Sequence, residues 1–92
     1  MLEVVESSKF KKSFKKIKKY KDFKISEFQY VLDKLRNLEE LEPKHKLHNL
    51  NGKYKDYKEC HVQNDILLIF GIEQDVLVLY MVDIGSHSEL FK

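Results

Sequence analysis

Four histidines and a single cysteine are the side chains best suited to chemistry in this 92-residue chain. His45 and His48 lie three residues apart in a polar stretch, His61 directly follows Cys60, and His87 comes two residues after Gly85. Asp65 stands one tight turn beyond His61. Residues flanking a short antiparallel turn are close in space, so His61 and Asp65 could meet. Three chemistries compete for such a set. A metal site would draw on His45-x-x-His48 and Cys60-His61, ligand types that zinc accepts. Spacing argues against it, because adjacent strand residues point to opposite faces and the sequence has no CxxC or HExxH. A Cys60–His61 nucleophile pair fails on the same geometry, which leaves Cys60 as an inert core side chain. The third chemistry is acid–base catalysis on a phosphodiester. Imidazole titrates near neutrality, so one histidine can take a proton while another gives one. RNA brings its own nucleophile, the 2′-hydroxyl.

The elements that must position these groups follow from periodicity. Residues 2–6, LEVVE, read as a short strand, and Ser7 or Ser8 is available to cap the next helix. Phe10, Phe14 and Ile17 mark one helical face. SEFQ at 26–29 has the serine and glutamine of a capping box, and Phe28, Val31, Leu32, Leu35 and Leu38 carry a second amphipathic helix. The two helices form an αα-hairpin. Pro43 ends helical territory, and residues 43–57 read as an extended loop with a turn at Asn51-Gly52. Three apolar-rich segments, YKECHVQ, DILLIFGIE and DVLVLYMVDI, are separated by short polar connections that favour antiparallel hairpins. The expected architecture is α+β: an N-terminal strand, a two-helix hairpin, then a three-stranded antiparallel meander packed against the helices.

Length and composition set the frame. Ninety-two residues suit one domain spanning residues 1–92. One cysteine allows no internal disulfide, which points to a reducing, cytoplasmic setting. The longest apolar run, Ile66 to Ile72, is too short to cross a bilayer, so no membrane partner is expected. Net charge is only +2, yet residues 9–24 hold nine lysines against the single acid Asp22, which leaves the remainder net acidic. Lys11, Lys12, Lys15, Lys16, Lys18 and Lys19 either form a solvated helix face or meet a polyanionic or acidic partner.

Several of these residues, in order and spacing, carry a resemblance. His48-x-Leu50-x-Gly52, Glu59-Cys60-His61-x-x-x-Asp65-x-Leu67-Leu68 and Gly85-Ser86-His87-x-x-x-Phe91 resemble the RelE/ParE toxin superfamily, specifically its YafQ-like branch. That resemblance implies a RelE-like fold and a ribosome-dependent mRNA endoribonuclease of a type II toxin–antitoxin system. Its reaction would be metal-free transesterification with no cofactor. By matched position His48 would be general base and His87 general acid, while His45 matches no catalytic position of the family and is read as a surface residue. His61 and Asp65 would orient the phosphate, and Phe91 would stack on or brace a base. The implied partners are the ribosome, its mRNA and a RelB- or DinJ-like antitoxin, with Lys53, Lys55 and Lys58 adding cationic surface near the loop. Each site residue has a plain structural alternative: turn former for His48 and Asp65, sheet support for His61, packing for Phe91. One position departs from the branch. Where its members carry an arginine that stabilises the scissile phosphate, this chain has Asp83, which cannot do so. The alternative implied by that departure is a toxin-fold protein without nuclease activity, either a gyrase inhibitor or an antitoxin-binding module.

Overall fold

A computed structural model describes residues 1–91. Strand β1 (Glu3–Glu6) leads into helix α1 (Ser8–Ile17) and helix α2 (Ile25–Arg36). A two-residue strand β2 (His48–Asn49) precedes the meander β3 (Lys58–Gln63), β4 (Ile66–Glu73) and β5 (Val78–Gly85), and a short helix α3 (His87–Leu90) follows. The sheet has five strands in the order β1-β5-β4-β3-β2. The β1–β5 pair is parallel and the rest are antiparallel.

The expected α+β order is present, with two differences. Residues 43–57 are not a plain loop. They hold two 3-10 turns, Pro43–His45 and Gly52–Tyr54, and between them β2 adds an edge strand to β3. The second helix does not start at a capping box. It starts at Ile25, with Lys24 as N-cap and no capping side chain of its own. The cap is supplied from β3 instead. The Lys24 amide donates to Gln63 Oε1 at 2.9 Å, and Gln63 Nε2 donates to the Asp22 carbonyl at 2.9 Å. A tertiary donor and acceptor thus replace the local motif, which leaves Ser26 exposed one residue inside the helix.

At α1 the local signal holds. Ser7 Oγ accepts from the Phe10 amide at 2.9 Å and donates to the Val82 carbonyl at 2.7 Å, fixing the helix start onto β5. Phe10, Phe14 and Phe28 stack with centroids 4.7 to 6.3 Å apart, joining α1 to α2. With Cys60, Val62, Leu68, Phe70, Leu79, Met81 and Ile84 they form the main core between helices and sheet. The opposite sheet face carries a smaller apolar cluster of Leu67, Ile69 and Leu90. Leu50, Tyr54, Tyr57, Val82 and Phe91 pack around it. Among the described residues only the short helix α3 reaches this face, through Leu90, and the candidate site lies there.

Candidate active site

Sheet register places the candidate residues in two rows. His48 pairs with Glu59, Glu59 with Ile69, and Ile69 with Asp83. Two residues along, His61 pairs with Leu67 and Leu67 with Gly85, after which Ser86 and His87 continue. Alternation along β3 sends Cys60 and Val62 into the main core and turns Glu59 and His61 to the open face. The rows are about 7 Å apart. Residues 39 positions apart in sequence, His48 and His87, thus share one side of the sheet.

His48 is held at both ring nitrogens. Nδ1 is 2.8 Å from the Lys46 carbonyl, and Nε2 is 3.2 Å from Glu59 Oε1. Glu59 is buried, only 4% exposed, and its Oε2 has no hydrogen-bond partner. A carbonyl and a carboxylate both accept, so making both contacts at once needs a proton on each ring nitrogen or one on Glu59. For His48 to act as a base, one contact must open. The Lys46 contact is the solvent-exposed one. Sequence reasoning passed over Glu59 as a partner. The signal for it was the alternation that puts it on the same strand face as His61.

His61 is half-buried, and burial holds its imidazole below the ordinary histidine value. Lys46, His48 and His45 push the same way, and Glu59 opposes them. His61, Asp65 and His87 line one concavity of about 280 Å³ with Lys46, Asn64 and Leu67. Among the described residues no hydrogen bond joins His61 to Asp65. Gln63 rather than His61 pairs with Ile66, the register shifts between His61 and Gln63, and Asp65 takes a left-handed turn conformation at φ 26°. The bulge and turn leave His61 and Asp65 lining one concavity without a direct hydrogen bond. Lys46 is the cation lining this concavity, and its left-handed backbone, φ 45°, turns the chain between His45 and His48.

His45 is not on the surface. It is 2% exposed, and its Nδ1–H donates to the His61 carbonyl at 2.7 Å, with Nε2 buried and unpartnered. The 3-10 turn that Pro43 opens carries the ring inward, where it braces β3 at His61. Cys60 is fully buried and its thiol is pushed up to about 12 by desolvation, so it is an inert core side chain.

His87 opens α3. Its ring lies 5.2 Å from Phe91, and Phe91 meets Tyr54 edge-on at 6.2 Å. Asp83 is 3% exposed. Oδ1 accepts from the Ile84 amide at 2.8 Å, and Oδ2 lies 3.5 Å from Lys9 Nζ, which also reaches Tyr54 Oη at 3.3 Å. The acid at the departing position is therefore partnered by a lysine from α1.

The candidate lysines are divided. Lys11, Lys12, Lys15, Lys18 and Lys19 are exposed. Lys16 is exposed too, but its ammonium sits 2.8 Å from Glu89 Oε2. Lys53 lies over the Tyr54 ring at 5.1 Å, and Lys55 is exposed. Lys58 falls on the helix side of the sheet beside Leu35, Phe70 and Ile72, away from the histidines. Among the described residues no three His, Cys, Asp or Glu side chains are placed to hold a metal ion.

Solved structures with this fold include bacterial toxins. A metal-bound toxin from Helicobacter pylori is 40% identical, with a TM-score of 0.89, covering 99% of this chain and 100% of that one. YafQ from Escherichia coli BL21(DE3) is 25% identical with a TM-score of 0.88, each chain covered in full. YafQ in the E. coli DinJ–YafQ complex is 26% identical with a TM-score of 0.86, again over both chains in full. No curated protein sequence matches. Residues 2–92 match the family described as the bacterial toxin of type II toxin-antitoxin system, YafQ, and the chain belongs to that family.

Proposed function

We propose that this toxin is a ribosome-dependent mRNA endoribonuclease that cleaves by metal-free transesterification. The observation that carries the reading is the pair of rows on the open face. They put a carboxylate-backed histidine, His48, on the sheet face where the α3 histidine, His87, lines a concavity with Lys46, His61 and Asp65. A 2′-hydroxyl takes the place of the Lys46 carbonyl at His48 Nδ1 and gives up its proton there. Glu59 holds the opposite nitrogen and stabilises the charge that forms. The 2′-oxygen bonds to the adjacent phosphorus, the bond to the 5′-oxygen breaks, and His87 protonates that leaving oxygen. Lys46 and the neutral His61 face the phosphate, supplying charge and a hydrogen bond where negative charge builds up. Asp65 lines the same concavity from the turn, and Phe91 gives a base a ring to rest on.

Lys11, Lys12 and Lys15 of α1, with Lys18, Lys19, Lys53 and Lys55, form the surface that meets ribosomal RNA. By analogy with DinJ and YafQ, the natural inhibitor is a small antitoxin, and an acidic segment of it suits the same helix. Incubating the chain with a translating extract, stopping the reaction with excess EDTA and then analysing fragment ends tests the chemistry. Transesterification leaves a 2′,3′-cyclic phosphate and a 5′-hydroxyl. A 5′-phosphate on the fragments contradicts it.

A further inference from the structure

The tail that carries His87 is held by a contact network with no part in proton transfer. Ser86 and Glu89 form a reciprocal capping box at the start of α3. The Ser86 amide donates to Glu89 Oε1 at 2.8 Å, and the Glu89 amide donates to Ser86 Oγ at 3.3 Å. The other carboxylate oxygen faces α1 and the turn after it, where Lys16 Nζ and Tyr20 Oη both donate to Glu89 Oε2 at 2.8 Å. Glu89 therefore holds its own backbone turn with one oxygen and a second helix with the other. His87 lies inside that turn, between the two capping residues. A helix of four residues has too few internal bonds to hold itself, so this turn needs outside support. Leu90, buried in the open-face cluster, is the other anchor.

We propose that Glu89 is a positioning residue for His87, and that Lys16 and Tyr20 act on the reaction through it rather than by binding RNA. The inference rests on His87 being the general acid. Lys16, Ser86 and Tyr20 together hold the Glu89 carboxyl down at about 2, so the network keeps its charge throughout the working range of an acid–base enzyme. The lysine face of α1 is accordingly not uniform: Lys11, Lys12 and Lys15 point to solvent and Lys16 is engaged within the molecule.

The test is single-turnover message cleavage in a translating extract, with the full chain in excess and its concentration varied. Glu89→Gln keeps the size and part of the hydrogen bonding. It and Lys16→Met are expected to lower the maximal rate by about tenfold or more while leaving the half-saturating concentration unchanged. Lys16→Arg is expected to restore the rate. Lys12→Met is expected to do the reverse of Lys16→Met, raising the half-saturating concentration and sparing the maximal rate. Exchange of the Ser86 amide should quicken in Glu89→Gln, since its acceptor is weakened. Lys16→Met behaving like Lys12→Met, or Glu89→Gln cleaving at the wild-type maximal rate, overturns the proposal. If His87→Ala is inactive in the same assay, such a result leaves the nuclease reading standing. A wild-type chain that cleaves nothing, or a His87→Ala chain that cleaves normally, overturns both.

Discussion

At the scale of single residues, the decisive feature is the histidine–carboxylate pair on β2 and β3. A half-exposed imidazole on its own is a modest base. Backed by a buried carboxylate, it is held in orientation, and the charge it gains is compensated. His48→Ala is expected to slow cleavage by about 10²- to 10⁴-fold, and Glu59→Gln by about 10²-fold, with the thermal transition of each variant showing that it still folds. His61 makes a prediction about stability. Its folded-state pKa is lowered, so the unfolded chain takes up a proton more readily. Stability from this group is complete above the ordinary value near 6.5 and falls as pH drops below it. Urea unfolding at a series of pH values should show that loss, and it should shrink in His61→Asn. The sequence made His48, His61 and His87 visible as candidates through type and order. It hid His45 and Glu59, because burial of a polar side chain depends on the turn and edge strand that enclose it.

At the scale of elements, local rules decided where they met no competition. Ser7 caps α1 as its type predicts, and its hydroxyl also ties the helix to β5. Ser7→Ala loses both bonds and is expected to destabilise the chain by about 1–2 kcal/mol, read as a lower melting temperature. Ser26 had the same credentials at α2, yet Gln63 from β3 takes the capping role. Nothing in the spacing of residues 24–29 could reveal a partner some forty positions away. The strand β2 was hidden for a related reason: two residues carry no alternation, and only the edge of β3 gives them a place. The meander was legible because three apolar runs with short polar breaks leave few alternatives. Helix α3 escaped notice at four residues, although Ser86 and Glu89 have the spacing of its capping box. Glu89 also predicts a pH effect of this element. Its carboxyl is depressed to about 2, so the stability it contributes is present above its ordinary value of 4.5 and is lost as pH falls toward 2. Acid unfolding should therefore begin at higher pH in Lys16→Met than in the wild type.

At the scale of the whole molecule, charge and architecture divide the labour. One sheet face is covered by helices and stores the main core. The other bears His48, His61 and His87 over a small apolar floor. The lysine helix borders both, contributing Lys9 to Asp83 on β5 and Lys16 to Glu89 on α3, with its remaining lysines facing outward. Asp83 is thus a buried side chain held by the Ile84 amide and Lys9 rather than one open to solvent. Association with ribosomes should weaken steeply with salt, and Lys11, Lys12 and Lys15 changed together to Gln should flatten that dependence, as measured by co-sedimentation. The central claim is that His87 makes this toxin a translation-dependent nuclease. Induction in cells, followed by primer extension on one message with and without a functional start codon, tests it most directly. The account predicts cuts in the translated message alone, abolished by His87→Ala. Growth arrest with both messages intact, unchanged by His48→Ala combined with His87→Ala, would contradict it.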